Sequence, residues 1–202
     1  MKTTPYHHGA LREALLSAAE TILRRDGLQA LTLRATAREA GVSHAAPAYH
    51  FGDLTGLLTE LAVSGMQRLT AEMRDIKASP DRRVWDAARA YVRFARANPA
   101  IFQLMFQSDR LDVTRPSFEE ARRGAFLQLA RTRGIDSPHP SLDDLGHITG
   151  GWSLAHGFAM LLLNGRVSIL LAAAPPGTTV DDLFEAMLAS AEKGLLHPPE
   201  PA

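Results

Sequence analysis

Apolar residues recur along most of the chain at the spacing of an amphipathic helix. Leu11, Leu15 and Ile22 follow this spacing near the start, and the stretches 54–69 and 84–95 repeat it. No stretch alternates apolar and polar residues as a half-buried strand would. The pattern predicts an all-α protein of about nine helices, at 9–25, 32–39, 43–50, 53–77, 82–97, 99–107, 117–133, 142–171 and 180–195.

Capping signals mark several of these helix starts. Asn98-Pro99 combines an N-cap residue with a proline at the first helical position. Capping boxes, in which a hydroxyl and a carboxylate three residues apart satisfy each other's backbone N–H groups, are predicted at Ser117, Ser141 and Thr179. Helices are therefore expected to begin directly after these residues.

Composition and charge exclude several classes of protein. The 22 basic and 22 acidic residues cancel, although residues 61–135 carry a net charge of +6 and residues 136–202 one of −6. The absence of cysteine excludes disulfides and cysteine-based metal sites. No signal-peptide core follows Met1, and Asn164 and Arg166 interrupt the apolar stretch 152–174. We therefore expect a cytoplasmic protein with a buried apolar helix and no membrane association.

Residues 31–51 have the spacing of two short helices joined by a tight turn. Ala37 is small where the helices must approach closely, and Gly41 can adopt the positive φ that the turn requires. Val42 is expected to fill the angle between the helices, and Ser43 to cap the second one. The segment reads as a helix-turn-helix that places its second helix in the major groove of DNA, with an ordinary helical hairpin as the alternative.

The stretch from Leu11 to Leu58 resembles the TetR family of bacterial transcription regulators. The resemblance rests on Ala18-Ala19, Gly27, the run LTLRATAREAGVS at 31–43, His50-Phe51 and Leu57-Leu58. It implies a three-helix DNA-binding head, a C-terminal ligand-binding and dimerisation domain, and repression relieved by a small molecule. Two positions depart from the family pattern: Ala48 stands where a tyrosine is usual, and Leu54 where a lysine is usual.

The helix-turn-helix supplies the candidate DNA contacts. Cations near phosphate dominate nucleic-acid affinity, and side chains on the second helix read the base edges. Lys2 and Arg12 are further candidate phosphate contacts in a head with few cations. The predicted DNA-binding residues are Thr32, Arg34, Arg38, Ser43, His44, Ala45, Ala46, Tyr49 and His50.

The C-terminal half carries aromatic and methionine residues at helical spacing. Such residues line a ligand pocket or simply fill a core, and the sequence leaves both readings open. Trp152, His156 and Gly157 resemble the signature of a TetR subclass whose C-terminal domain is named after Trp, His and Gly (WHG). His156 either orients a polar atom of a ligand or is a hydrogen-bonded core residue. The predicted pocket residues are Tyr91, Phe94, Phe102, Met105, Phe106, Trp152, His156 and Met160.

The sequence contains little that indicates a metal site, a catalytic site or a cofactor. His147 and His156 lie nine residues apart without a carboxylate at ligand spacing, so we expect no metal site. The acidic pairs at 119–120, 143–144 and 181–182 fall at predicted helix starts, where the helix dipole favours acids. We therefore expect no catalytic residues, no enzymatic activity and no cofactor. A structural helical dimer that does not bind DNA is the remaining alternative.

The expected organisation has three parts. Residues 7–53 form the tetR-type helix-turn-helix domain, residues 54–196 the ligand-binding and dimerisation domain, and residues 197–202 a loose tail. The last two predicted helices are apolar enough to pack against a second copy of the chain. The expected partners are double-stranded, palindromic operator DNA, a hydrophobic or aromatic small-molecule effector, and a second subunit of a homodimer.

Overall fold

A computed structural model describes residues 8–193 of the chain, all of it helix and connecting loop. The predicted domain start at residue 7, the residues 194–196 and the predicted tail 197–202 lie outside the described residues. Two short 3-10 turns occur at Leu28–Ala30 and Ser108–Arg110. The ten α-helices are α1 (His8–Asp26), α2 (Leu33–Glu39), α3 (Ala46–Phe51), α4 (Leu54–Arg74), α5 (Pro80–Ala97), α6 (Pro99–Met105), α7 (Pro116–Arg131), α8 (Leu142–Leu163), α9 (Val167–Ala173) and α10 (Val180–Glu192).

Helices α1, α2 and α3 form the N-terminal head, and the turn between α2 and α3 has the predicted geometry. Gly41 has a φ of +66°. The N–H of Val42 donates to the carbonyl of Ala37, at 3.0 Å, and closes the end of α2. Ala37 is fully buried, so the absence of a larger side chain there lets α2 pack closely. The helix-turn-helix geometry is confirmed.

Helix α4 is the central element of the molecule. Its side chains are buried on most sides, and it packs against α1 and α3 of the head as well as α5, α6 and α7. Gly65 lets α6 approach, since a Cβ there would lie 2.8 Å from the sulfur of Met105. Helix α5 packs on α8, and Arg89 holds α10 through a bidentate pair with Glu185. The head and the C-terminal helices therefore both pack against one long helix, α4.

The single helix predicted at 142–171 is wrong, because the chain breaks between α8 and α9. Gly165 has a φ of +69°, and the N–H of Arg166 donates to the carbonyl of Leu161 at 2.8 Å. These are the features of a glycine C-cap, which satisfies the last carbonyls of α8 and turns the chain away. The two helices meet at an angle of 86°. The Asn164-Gly165 pair is the sequence signal of this break.

Two predicted caps are also wrong, for different physical reasons. Helix α3 begins at Ala46 and not after Ser43, which leaves Pro47 in the first turn, where its missing N–H needs no partner. Helix α7 begins at Pro116, and the hydroxyl of Ser117 donates to a carboxylate on α4 instead of capping its own helix. The capping boxes at Ser141 and Thr179 are confirmed, as is Pro99 at the start of α6.

Among the described helices, none is by itself both long and apolar enough to cross a membrane. Helices α8 and α9 meet the length and hydropathy criteria only when taken together across their 86° bend.

Candidate functional site

The outer face of α2 and α3 is polar and open to solvent. The side chains of Arg34 and Arg38 are exposed on α2, and neither has a carboxylate partner among the side chains that the structure describes, those of residues 10–79, 82–107 and 109–193. Tyr49 on α3 is 77% exposed, which is unusual for a large aromatic side chain. Unpaired guanidinium groups beside an exposed aromatic ring suit a polyanionic partner whose groove can receive the ring.

Most of the predicted DNA-binding residues are exposed in α2, in α3 or in the turn between them. Ser43, His44 and Ala45 are exposed in the turn that precedes α3. Ala46 and His50 are half-buried, and the His50 ring packs edge-on to Tyr49 with 5.2 Å between centroids. Thr32 is exposed, but its hydroxyl oxygen already accepts a bond from the N–H of Ala35 as the N-cap of α2. Contact of each of these residues with DNA stays a prediction.

Arg12 does not belong to this face. Its guanidinium pairs with Glu60 of α4 and lies over the Phe51 ring, 5.6 Å from the ring centroid. It therefore joins the head to the central helix, and contact of its guanidinium with phosphate stays a prediction. Lys2, the other candidate, lies outside the described residues.

A cavity of about 600 Å³ opens between α4, α5, α6, α7 and α8. Its wall is mostly apolar and includes three methionines, Met66, Met73 and Met105, whose flexible side chains adapt to differently shaped ligands. Phe106, Phe126 and Trp152 line it while remaining partly exposed, so the cavity is accessible from solvent. Its size and lining are those of a site for a small hydrophobic molecule.

A chain of three side chains connects Trp152, Tyr91 and His156. The indole N–H of Trp152 donates to the Tyr91 hydroxyl at 3.2 Å, and that hydroxyl lies 2.9 Å from Nδ1 of His156. Burial raises the pKa of Tyr91, and burial lowers the pKa of His156. Both pKa shifts agree with a protonated Tyr91 whose hydroxyl donates a hydrogen bond to the neutral imidazole of His156. Trp152 and His156, which lie four residues apart, therefore both form hydrogen bonds with the buried hydroxyl of Tyr91.

The other predicted pocket residues divide between the cavity wall and the layer behind it. Tyr91, Met105, Phe106 and Trp152 line the cavity. Phe102 and His156 stand behind the wall, where the imidazole packs against Phe106 at 4.5 Å between ring centroids. Phe94 is buried core beneath the guanidinium of Arg68, and Met160 packs on the core outside the lining. Ligand contact by any of the eight stays a prediction.

Sequence reasoning missed the polar cluster between the head and α7. Glu60 lies on the buried side of α4 and receives Arg12, Arg115 and Ser117. The signal that could have revealed it is an acidic residue in an otherwise apolar helical stripe, because a buried carboxylate requires partners. Its partners could not have been named, since they lie 48 to 57 residues away in the sequence.

Where the structure describes side chains (10–79, 82–107 and 109–193), no group of three or more histidine or acidic residues is placed to hold a metal ion. The acidic pairs at 143–144 and 181–182 lie in the first turns of α8 and α10, and Asp144 and Asp182 complete the capping boxes there.

Two family models match the chain. The model described as "Bacterial regulatory proteins, tetR family" matches residues 15–61, and that described as "Tetracyclin repressor-like, C-terminal domain" matches residues 84–191. The chain is also 26% identical over 160 residues to the uncharacterised HTH-type transcriptional regulator YobS of Bacillus subtilis (strain 168), across 76% of this chain and 80% of that protein. The Trp-His-Gly subclass stays a prediction.

Solved structures show the same fold. A protein of unknown function from Rhodococcus sp. RHA1 superposes with a TM-score of 0.72 at 33% identity, over 95% of this chain and 96% of that one. A TetR transcriptional regulator from the same source has a TM-score of 0.65 at 21% identity, over 95% of this chain and 100% of that one. Together with the helix-turn-helix geometry, these matches show that the chain belongs to the TetR family of DNA-binding transcriptional regulators.

Proposed function

We propose that this regulator is a repressor that binds a palindromic operator as a homodimer and is released by a small hydrophobic ligand. The observation that carries the proposal is the presence, in one chain, of an exposed cationic helix-turn-helix face and an apolar cavity of about 600 Å³. Helix α4 contributes Met66, Leu69 and Met73 to the cavity and packs against α1 and α3 at its other end. A change at the cavity therefore has a physical route to the head.

In the proposed complex, α3 enters the major groove and α2 crosses the phosphate backbone. Arg34 and Arg38 neutralise phosphates, with Thr32 beside them at the start of α2. The turn and the exposed side of α3 face the base edges, with Tyr49 as the largest reader and His44 and His50 as hydrogen-bonding neighbours. The remaining contacts of this surface are Ser43, Ala45 and Ala46.

The proposed dimer uses the exposed face of α8 together with α9 and α10. Three glycines of α8, Gly146, Gly150 and Gly157, lie at helical spacing with open space around the position of a Cβ. Large apolar side chains are exposed nearby: Leu142 is 86% exposed, and Ile169 of α9 is 74% exposed. Glycine in a helix interior costs stability, so close approach of a second α8 is the compensation we propose.

The effector proposed for the cavity is apolar or aromatic and carries few polar groups. The methionine and phenylalanine side chains of the wall offer contact area without hydrogen bonds. The hydroxyl of Tyr91 still has one free lone pair after its bonds to Trp152 and His156, so one donor on the ligand can be recognised.

We place the domain boundary at residues 53–54, between α3 and α4, and the site of action in the cytoplasm, where operator DNA is found.

The proposal is tested by selecting bound duplexes from a random DNA pool with the purified protein. We expect a palindrome whose half-sites lie about one helical turn apart. Tyr49→Ala should change the enriched bases, whereas Arg34→Ala should weaken binding to every duplex and make its salt dependence shallower. A pool that shows no enrichment at low salt would reject specific DNA recognition and favour a helical dimer that does not bind DNA.

A further inference from the structure

The N-terminal turn of α7 is fastened to the recognition helix α3 by one side chain, Arg115. This residue directly precedes α7, and its Nη2 donates to the carbonyl oxygen of Phe51 at 3.0 Å. Phe51 is the last residue of α3. The bond joins residues 64 positions apart, and its donor carries a charge, which makes it stronger than a bond between neutral groups.

The same guanidinium is held from its other side by Glu60 of the central helix. Nη1 of Arg115 lies 3.5 Å from Oε1 of Glu60, and the hydroxyl of Ser117 donates to the same oxygen at 2.6 Å. The other oxygen of Glu60 pairs with Arg12 of α1. Glu60 is 8% exposed, so this ion pair is screened less by solvent than the surface pairs are.

The local backbone is built to make room for this contact. Gly56 lies in the first turn of α4, and a Cβ there would overlap the carbonyl of Phe51 and approach Nη2 of Arg115 to 2.7 Å. The loop ahead of Arg115 is anchored as well, since the N–H of Asp112 donates to the buried hydroxyl of Thr59 at 2.9 Å. The position of Arg115 is therefore set both by its contact with α4 and by its place directly before α7.

Helix α7 also forms a wall of the cavity. Phe118, the residue after Ser117, lines the cavity. Further along the same helix, Ala125, Phe126 and Leu129 line it too. A molecule that enlarges the cavity must displace at least one of the five helices around it, and α7 is one of them, because the interior is close-packed. Arg115 is joined to the first turn of α7, so a displacement of that turn would reach its guanidinium.

We propose that Arg115 is the positioning residue that couples the cavity to the recognition helix: it holds the C-terminus of α3 while the cavity is empty and loosens it when the cavity is filled. The proposal rests on the proposed function for its biological meaning, because it specifies how an effector acts on DNA binding. The structural coupling itself is measurable without DNA. It assigns no ligand contact to Arg115, which is absent from the cavity lining.

The test uses amide hydrogen exchange of the full chain, with 1-anilinonaphthalene-8-sulfonate as the probe that occupies the apolar cavity. In the wild type, probe binding should speed exchange of the amides at 49–52 by about fivefold or more, the lower end of ordinary allosteric coupling. In Arg115→Gln these amides should already exchange rapidly and should not respond to the probe, and the probe should bind at least as tightly as to the wild type, because the contact that opposes filling of the cavity is gone. Arg123→Gln, an exposed arginine on the same helix, is the matched control and should behave as the wild type does.

The outcomes separate the two proposals. An unchanged exchange rate at 49–52 in probe-bound wild type overturns the coupling, and so does a full probe response in Arg115→Gln. If Arg115→Gln fails to fold, Arg115→Lys keeps the charge beside Glu60 but lacks the second nitrogen of the guanidinium fork, and it should reduce the response; a full response there also overturns the coupling. Failure of the wild type to bind any selected duplex would reject the proposed function while leaving the exchange result valid.

Discussion

At the scale of single residues, Gly56 is tightly constrained by its surroundings. Its N–H donates to the Asp53 carboxylate at 2.8 Å as part of the cap of α4, while the carbonyl of Phe51 occupies the space where a side chain would begin. The obstacle is backbone, which cannot move aside as the end of a long side chain can. A glycine that looks like an ordinary helix residue in the sequence is thus fixed by the packing of α3 against α4.

We predict that Gly56→Ala destabilises the fold by about 1–3 kcal/mol, the range found for overpacked positions. The matched control is Gly124→Ala in α7, where a Cβ meets open space and alanine should stabilise the helix by about 0.5–1 kcal/mol. Urea unfolding followed by circular dichroism measures both. Equal free energies of unfolding for the two variants would show that the contact around Phe51 is looser than the structure indicates.

His156 makes the stability of the protein depend on pH. Its pKa in the folded state lies below the usual value because burial disfavours the imidazolium, so the unfolded chain takes up a proton first as the pH falls. The neutral imidazole contributes fully to the free energy of unfolding above about pH 6.5, the usual pKa of histidine. This contribution is lost as the pH falls from that value through the lower pKa of the folded state. The surrounding side chains, Tyr91, Phe102, Phe106 and Trp152, are all uncharged aromatic groups.

Replacing His156 with glutamine should therefore make stability less sensitive to acid. Urea midpoints measured at pH 7.5 and pH 5.5 should differ less in His156→Gln than in the wild type, whatever the absolute stability of the variant. If the urea midpoint changed by the same amount between the two pH values in both proteins, the imidazole would be protonated as readily in the folded chain as in the unfolded one.

At the scale of elements, the sequence predicts helices and turns well where the deciding signal is local. The turn at Gly41 and the boxes at Ser141 and Thr179 are set by neighbouring residues, and each is confirmed. Ser117 is different, because its hydroxyl is engaged by Glu60, which lies 57 positions earlier. The same limit applies to the cavity: helical spacing marks aromatic residues as inward-facing, but only packing separates Tyr91, on the wall, from Phe94, in the core beneath Arg68.

The elements proposed to face DNA lack the lysine that the family pattern has at the start of α4. Leu54 is 37% exposed there, directly after the cap residue Asp53. We predict that Leu54→Lys tightens binding to all duplexes and steepens the slope of log affinity against log salt by about 0.9 for each added phosphate contact. Titrations of the selected operator at several salt concentrations measure this slope. An unchanged slope would place the start of α4 away from the phosphates.

At the scale of the whole molecule, the exposed glycine face of α8 and the apolar side chains of α9 form the surface that we propose a second subunit covers. Gly157 has open space around its missing Cβ, so a larger side chain is compatible with the fold of one subunit. We predict that Gly157→Leu yields a folded monomer, because leucine favours the helix but separates the two copies of α8. Sedimentation velocity distinguishes the species, with Gly124→Leu as the control that should remain dimeric. A dimeric Gly157→Leu protein would move the interface elsewhere.

The central claim is that the state of the cavity controls DNA binding, and a variant that fills the cavity tests it without knowledge of the effector. Ala125 of α7 lines the cavity, so Ala125→Trp should imitate an occupied site, while Leu127→Trp places the same side chain on the exposed side of that helix. The measurement is the dissociation constant for the selected operator. We expect Ala125→Trp to bind about fivefold or more weakly than Leu127→Trp and the wild type. Equal affinity of all three, with the cavity of Ala125→Trp closed to the naphthalene sulfonate probe, would contradict the account.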